Sequence, residues 1–233
     1  MNSFDSGVLL WLNQFARHSD ALDAAVYFLS DSRFLKGEVM MLVLWWFWNS
    51  PSKPVDKNRE IIVSTILSAA AAILLGRFLA HFLPFRARPI FNPSLGFVPP
   101  FYAEKEIQMR DWSAFPSDHA MLFAALTTGM IFLARRFGAA AYAYWFVIIG
   151  LPRLYLGLHY PTDIIAGGAL GTAMACLANR RQWRCRIARL PLAWSRAHPS
   201  SFYAFFFLIS YQVATMFYEP RFLARAAGKL LGR

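Results

Sequence analysis

The sequence predicts an all-α fold: a polytopic membrane helix bundle with about six transmembrane helices and an N-terminal amphipathic helix. Of the 233 residues, 57% are hydrophobic and 16% are charged, which leaves too little charged surface for a soluble domain of this length. The apolar residues are also gathered into stretches close to the roughly 20 residues that cross a bilayer core. In a bilayer, lipid-facing side chains can be apolar all round, so the composition indicates a membrane protein.

Six apolar stretches are predicted to span the membrane. They lie near residues 34–50, 60–83, 117–134, 138–152, 162–179 and 200–219. Before them, residues 8–30 place apolar side chains among polar ones, which predicts an interfacial helix or a helix packed on the bundle. We expect this segment to be retained and not cleaved as a signal peptide. No linker or internal repeat interrupts the chain, so residues 1–233 are expected to form one integral membrane domain.

The loops between the predicted spans differ in charge. The net charge is +11, but the basic residues lie between apolar spans and not on one polar face, which disfavours nucleic acid as a partner. With six spans, the proline-rich segment 84–112 and the turn 153–163 share one side. The 51–59 loop, Arg135 with Arg136, and a 180–196 loop share the other side. The positive-inside rule places this basic side in the cytoplasm. The first two segments then face the periplasm, outside a bacterial-type inner (plasma) membrane.

The turn at 153–163 contains Arg153, His159 and Asp163. His159 and Asp163 are four residues apart, so their side chains meet if the segment is helical. A carboxylate on one imidazole nitrogen fixes the tautomer and leaves the other nitrogen as a nucleophile. The guanidinium of Arg153 matches two phosphate oxygens at once. The alternatives are a structural His–Asp pair at a helix start and an arginine that snorkels from the end of a span.

A second polar segment, residues 116–119, lies where the proline-rich loop meets an apolar helix. Ser117 or Asp118 is suited to cap that helix, and the first main-chain N–H groups of the helix would then form a cradle for an anion. His119, in the first turn, is placed to act as a general acid. The alternative is an ordinary helix cap followed by a surface histidine.

A third set of polar residues follows the second predicted span. Arg86 and Arg88 are spaced two apart beside Pro89, which is less easily explained by membrane anchoring alone. His81 lies one or two helical turns earlier, within the apolar span, where it either faces the site or is a satisfied residue of the bundle. Arg88 is the stronger candidate of the two arginines for binding an anion.

Taken together, these segments resemble the signature of the type 2 phosphatidic acid phosphatase family, over roughly residues 60–180. The family patterns are Lys-x6-Arg-Pro, Pro-Ser-Gly-His and Ser-Arg-x5-His-x3-Asp. In this chain they read His81-x6-Arg88-Pro89, Pro116-Ser117-Asp118-His119 and Pro152-Arg153-x5-His159-x3-Asp163. Three positions differ from the family patterns: His81 replaces lysine, Asp118 replaces glycine and Pro152 replaces serine.

The resemblance implies a set of roles. His159 would attack phosphorus and form a phosphohistidine, Asp163 would orient it, and His119 would protonate the leaving oxygen. The phosphoryl oxygens would be held by the remaining residues of the signature, with main-chain N–H groups near Asp118. These phosphate-binding residues are Arg88, Ser117, Asp118, Arg153 and His81. Phosphoryl transfer of this kind depends mainly on positioning and on cations around the oxygens, and neither a metal nor another cofactor is expected.

The resemblance also implies a substrate class. The Asp118 variant is similar to undecaprenyl pyrophosphate phosphatases of the family, so we expect hydrolysis of undecaprenyl pyrophosphate to undecaprenyl phosphate, as in peptidoglycan precursor recycling. A phospholipid or lipid A phosphatase, acting for example on phosphatidylglycerol phosphate or phosphatidic acid, and a lipid phosphotransferase remain alternatives. A non-enzymatic lipid or anion transporter is a further alternative, because intramembrane arginines and histidines also line permeation paths. The expected partners are a lipid phosphate or pyrophosphate and the membrane, with no obligatory protein partner.

Overall fold

The computed structural model describes residues 2–51, 55–103 and 109–219, and within these ranges the protein is an all-α bundle without strands. This confirms the predicted fold class. The ten α-helices of these ranges are α1 Ser3–Asn13, α2 Asp20–Asp31, α3 Val39–Asn49, α4 Val55–Phe82, α5 Asp118–Leu133, α6 Arg135–Trp145, α7 Leu151–Tyr155, α8 Pro161–Asn179, α9 Arg181–Ala197 and α10 Pro199–Ala214. Two π-helical segments extend these helices: Phe34–Glu38 precedes α3, and Phe146–Gly150 joins α6 to α7.

Helix α5 is the centre of the bundle, and its residues from Ala120 to Met130 are buried. Helices α4, α6 and α8 pack around it. A helix surrounded in this way has no polar face, which explains why the sequence of α5 is apolar all round. The core continues towards α3, α9 and α10 through aromatic side chains such as Trp48, Phe202 and Phe206.

The predicted spans correspond to observed helices, with shifted ends. In the described part of the chain, three helical stretches are long and apolar enough to cross a membrane: Val55–Phe82, Arg135–Tyr155 and Pro161–Asn179. Helix α5 is equally apolar but shorter. The stretch predicted at 138–152 begins earlier and ends later, because the π-helical segment carries the helix through to Tyr155. The count of six spans stays a prediction.

Two predictions about the remaining segments need correction. The segment predicted as a 180–196 loop is helix α9, which buries Ala188 and Leu192 and pairs Arg184 with Glu60 of α4. Its arginines obscure an apolar stripe at helical spacing, formed by Ile187, Ala188 and Leu192. The segment predicted as one amphipathic helix over 8–30 is two helices, α1 and α2, packed against α7.

The helix ends that carry the polar segments meet at one end of the bundle. Helix α8 approaches α5 so closely that a Cβ atom at Gly171 would lie 2.0 Å from the main-chain oxygen of Met121. A Cβ atom at Gly167 would lie 2.6 Å from the main-chain oxygen of Ser117. Only glycine permits this backbone contact. The main-chain N–H of Ser117 accordingly donates to the main-chain oxygen of Asp163 at 3.3 Å, which joins the polar residues 116–119 to the turn at 153–163.

Candidate active site

The three polar segments form one cluster where α5 and α8 begin and α7 ends. The proline-rich loop is tied to the other two segments by main-chain hydrogen bonds, from Ala114 to Arg86 at 2.8 Å and from Ile90 to Gly157 at 2.9 Å. The buried polar side chains of the cluster are Arg88, Ser117, Arg153, His159 and Asp163. Burial of so many polar groups is costly unless each has partners, so the contacts of each indicate what the cluster is built to do.

His159 is held as a neutral imidazole with one nitrogen directed towards a cation. Its Nδ1 lies 2.8 Å from the main-chain oxygen of Ala114. Because a carbonyl only accepts, Nδ1 carries the proton and Nε2 carries the lone pair. Nε2 lies 3.3 Å from Nη1 of Arg88. This is the geometry of a nucleophile that faces a group able to hold the oxygens of the phosphorus it would attack.

Asp163 acts on His159 less directly than the sequence predicts. Its Oδ2 is 3.8 Å from Nδ1 of His159 and accepts instead from the main-chain N–H of Tyr160 at 2.7 Å. Its Oδ1 pairs with Nη1 of Arg86. The tautomer of His159 is therefore set by the Ala114 carbonyl, whereas Asp163 contributes a nearby negative charge and fixes the start of α8.

The surroundings of His159 keep it neutral. Burial is the largest cause that lowers the pKa of His159, and the charge of Arg88 lowers it further. Asp163 opposes both effects, and the net pKa lies below the ordinary value for histidine. A lone pair on Nε2 is thus available at neutral and mildly acidic pH.

His119 is held differently, by a carboxylate and a guanidinium. Its Nδ1 is 2.9 Å from Oδ1 of Asp118, and its Nε2 is 2.6 Å from Nη2 of Arg153. A guanidinium has no acceptor, so in this arrangement Nε2 accepts from Arg153 and Nδ1 donates to Asp118. Arg153 also connects the two histidines, because its main-chain oxygen accepts from the N–H of His159 at 3.3 Å.

Ser117 forms the predicted helix cap, and phosphate binding by Ser117 and Asp118 stays a prediction. Ser117 caps α5, and its Oγ accepts from the N–H of Ala120 at 3.3 Å. The carboxylate of Asp118 contacts His119 and lies 3.7 Å from Nε of Arg77, so Asp118 is a partner of His119 in this structure. The N–H of His119 also donates to Asp118, at 2.8 Å. The predicted cradle of N–H groups therefore has internal acceptors here.

The two arginines beside Pro89, Arg86 and Arg88, have different contacts. Arg88 is buried and donates to the main-chain oxygens of Leu158 at 2.8 Å and Trp112 at 3.3 Å, which fixes its guanidinium beside His159. Arg86 instead pairs with Asp163 and with Asp5. Its guanidinium lies 4.0 Å from the centre of the Tyr160 ring. Arg86 therefore holds the cluster together, and Arg88 is the cation that faces His159.

The structure does not bring His81 into the cluster. It lies exposed near the end of α4, with its ring edge-on to Phe82 at 5.2 Å between ring centres. The chain leaves the helix at Phe82, and it is the irregular segment that follows which carries Arg86 and Arg88 inwards. Phosphate binding by His81 stays a prediction without a contact behind it.

Sequence reasoning missed three residues of the cluster. Asp5 of α1 and Thr162 of α8 hold Arg86, and Arg77 of α4 approaches Asp118. For Asp5 and Arg77 the available signal was a charged residue within a helix predicted to pack in the membrane or at its surface, where a charge is costly and needs a partner. Among the described residues, no group of three or more His, Cys, Asp or Glu side chains is placed to hold a metal ion.

Comparisons with known proteins find a family model and several relatives that are similar to this chain. The model of the PAP2 superfamily matches residues 83–187. The chain is 28% identical to the bacitracin transport permease protein BcrC of Bacillus licheniformis, over 71% of this chain and 74% of that protein. It is 23% identical to the undecaprenyl-diphosphatase BcrC of Bacillus subtilis (strain 168), over 64% and 69% respectively. Among solved structures, LpxE of Aquifex aeolicus aligns with a TM-score of 0.49 at 20% identity, over 76% of this chain and 95% of that one.

Proposed function

Because the chain carries a PAP2 superfamily domain over residues 83–187, we propose that it is a membrane phosphatase that hydrolyses undecaprenyl diphosphate to undecaprenyl phosphate. The observation that carries the proposal is the placement of His159, whose neutral Nε2 lies 3.3 Å from the guanidinium of Arg88. A nucleophile beside a fixed cation is what transfer of a phosphoryl group requires.

In the first step, Nε2 of His159 attacks the terminal phosphorus while the P–O bond to the lipid monophosphate breaks. Arg88 and Arg153 hold the phosphoryl oxygens. The phosphate takes over the hydrogen bond that Arg153 now makes to Nε2 of His119. That nitrogen then carries a proton taken from solvent and gives it to the leaving oxygen. Asp118 accepts from Nδ1 of His119 throughout and so keeps Nε2 directed at the leaving group.

In the second step, water hydrolyses the phosphohistidine. His119, now neutral at Nε2, takes a proton from the attacking water, and the N–P bond breaks to return His159 and release phosphate. Asp163 stabilises the positive charge that the ring of His159 carries while it is phosphorylated, because its carboxylate lies 3.8 Å from Nδ1. No metal takes part in these steps, so activity is expected to survive a metal chelator.

The choice of substrate is supported by relatives and by Asp118. The relative from Bacillus subtilis is named an undecaprenyl-diphosphatase, and the Pro-Ser-Asp-His motif is similar to the motif of such enzymes. We place the site on the outer face of the inner membrane, because Arg135, Arg136 and the arginines of α9 follow the ends of α5 and α8 that are remote from the site. One relative carries the name of a transport permease, which keeps transport as the second candidate. A transporter has no need of a nucleophile that faces a cation.

The experiment is phosphate release by the purified full chain in detergent from four lipids. These are undecaprenyl diphosphate, phosphatidylglycerol phosphate, phosphatidic acid and lipid A. His159→Ala is compared with His198→Ala, since His198 is exposed at the start of α10 and outside the cluster. We expect kcat to fall at least 1,000-fold for the first variant and less than twofold for the second. Equal activity of the two variants would disprove the assignment of His159 as the nucleophile. A higher kcat/KM on another lipid would identify that lipid as the substrate in place of undecaprenyl diphosphate.

A further inference from the structure

We infer that Asp5, on the N-terminal helix α1, is a positioning residue of the active site that acts through Arg86 and Asp163 on His159. Asp5 lies outside residues 83–187, which the family model matches, and nothing in the family signature points to it. The inference rests on the proposed function in one respect only, namely that His159 is the residue whose state matters for catalysis.

The contacts of Asp5 are those of a built site. Its side chain has no exposed surface. Its Oδ2 accepts from Nη2 of Arg86 at 2.6 Å and from Oγ1 of Thr162 at 2.7 Å, and its Oδ1 accepts from the N–H of Thr162 at 3.0 Å. A buried carboxylate with three donors is specifically placed. Two of its three donors belong to Thr162, the residue directly before Asp163.

Arg86 transmits the effect because it is shared between two carboxylates. Its Nη2 contacts Asp5, and its Nη1 contacts Asp163 and also Oγ1 of Thr162, at 2.9 Å. While Asp5 is present, the charge of Arg86 is divided between them. Without Asp5, the whole cation acts on Asp163 and competes with the ring of His159 for that carboxylate. Removal of Asp5 should therefore make His159 harder to protonate.

This expectation takes account of the other charged groups around His159. Arg88 approaches from the proline-rich loop, Arg153 from α7, Asp163 from α8 and Asp118 from α5. A change at Asp5 removes none of these four charges, and it acts on His159 through the contact between Arg86 and Asp163. The change adds one net positive charge beyond Asp163, at a range where charges in a protein still interact measurably. A downward shift of about 0.5–1 pH unit in the titration of His159 is the expected size.

Asp23 provides a matched control. It belongs to the same N-terminal segment, on α2, and is equally buried. Its carboxylate accepts from the N–H groups of Arg17 at 3.1 Å and Phe101 at 2.8 Å and from the hydroxyl of Tyr155. These contacts hold the proline-rich loop but do not lead to Asp163. Asp23→Asn therefore removes a buried carboxylate of the same kind without touching the pathway through Arg86.

The test is a titration of the histidines by NMR on the full chain in detergent, with His159 assigned from the signal lost in His159→Gln. The variants are Asp5→Asn, Asp5→Ser, Asp23→Asn and Arg86→Gln. Each neutral Asp5 variant should lower the midpoint of His159 by about 0.5–1 pH unit, and Arg86→Gln should raise it. Asp23→Asn should lower the melting temperature and leave the midpoint within about 0.2 unit.

The inference is overturned if the midpoint of His159 moves no further in the Asp5 variants than in Asp23→Asn. It is also overturned if Arg86→Gln shifts that midpoint in the same direction as the Asp5 variants. Asp5→Ser is included because its hydroxyl still accepts from Thr162, so a folded neutral variant is obtained if Asp5→Asn does not fold. The readout needs no substrate. Failure of the proposed phosphatase activity is therefore seen separately, as absent phosphate release by the unaltered chain.

Discussion

Arg88→Gln tests the pairing of nucleophile and cation most directly, because two effects of opposite kind are expected from one change. Nη1 of Arg88 lies 3.3 Å from Nε2 of His159. Two unit charges about 4 Å apart interact by roughly 4 kcal/mol at an effective dielectric constant of 20, which bounds the shift at about 3 pH units. Because Asp163 and Arg153 also act on His159, we expect the low-pH limb of kcat/KM to move upwards by about 1–2 units.

The sign follows from the role of the cation. Arg88 opposes protonation of His159, so its removal lets the ring bind a proton at higher pH and lose its lone pair earlier as the pH falls. At the optimum, loss of the cation that holds the phosphoryl oxygens should lower kcat/KM by about 100- to 1,000-fold. The two effects together distinguish a catalytic cation from a structural one.

The assay is phosphate release against pH, for Arg88→Gln and for Arg110→Gln as the matched control. Arg110 is an exposed arginine of the same proline-rich segment, with its guanidinium 5.8 Å from the centre of the Phe91 ring. The control should keep both the rate and the profile of the unaltered chain. An Arg88→Gln profile that falls in rate without moving its low-pH limb would refute the placement of Arg88 against the nucleophile.

Three further predictions concern other contacts of the same fold. The pKa of His159 is lowered by burial, so the unfolded chain binds more protons than the folded chain below about pH 6.5. The melting temperature should therefore fall as the pH drops from about 6.5 to about 5, and His159→Gln should reduce that fall. Asp118→Asn should retain at least a tenth of kcat, because an amide oxygen still accepts from Nδ1 of His119. Asp118→Ala should lower kcat about 100-fold. Equal losses of kcat in the two variants would contradict the role of Asp118 in orienting His119. Gly171→Ala should destabilise the fold by about 3 kcal/mol, because the new Cβ meets the α5 backbone at 2.0 Å. Gly7→Ala should leave the stability unchanged, because Gly7 has open space around it. Thermal unfolding of both variants measures the difference.

The sequence predicts well the helices that are apolar over most of their surface. Helices α4, α5 and α8 follow from apolar stretches between polar loops, and their observed bounds differ from the prediction by a few residues. Helix α9 was missed because its arginines dominate its composition, while only the stripe that includes Ala188 and Leu192 faces the bundle. Net hydrophobicity hides such a helix, and only its periodicity reveals it.

In the candidate site, the residues with catalytic chemistry were predictable from the sequence, whereas the groups that hold them were not. Residues that chemistry requires by type, such as His119 and His159, stand in recognisable spacings, and the structure brings them to one cluster through Arg153. Partners that are supplied by the backbone or by distant helices leave no such trace. The acceptor of Nδ1 of His159 is a main-chain oxygen, which every residue possesses. Asp5 reaches the site only because α1 folds against the start of α8, and sequence spacing carries no information about that contact.

The two histidines are distinguished by what accepts from Nδ1. In His159 the acceptor is the neutral carbonyl of Ala114, at 2.8 Å, which orients the ring and leaves it uncharged. In His119 the acceptor is the carboxylate of Asp118, at 2.9 Å, which stabilises an imidazolium once a phosphate has drawn Arg153 away. These contacts fit the proposed mechanism, in which His159 offers a lone pair and His119 offers a proton. Because His119 exchanges a proton in both proposed steps, Asp118→Asn should slow both the formation and the hydrolysis of the phosphohistidine. Single-turnover kinetics on Asp118→Asn measures the two steps separately, and unchanged rates of both steps would contradict the role of His119.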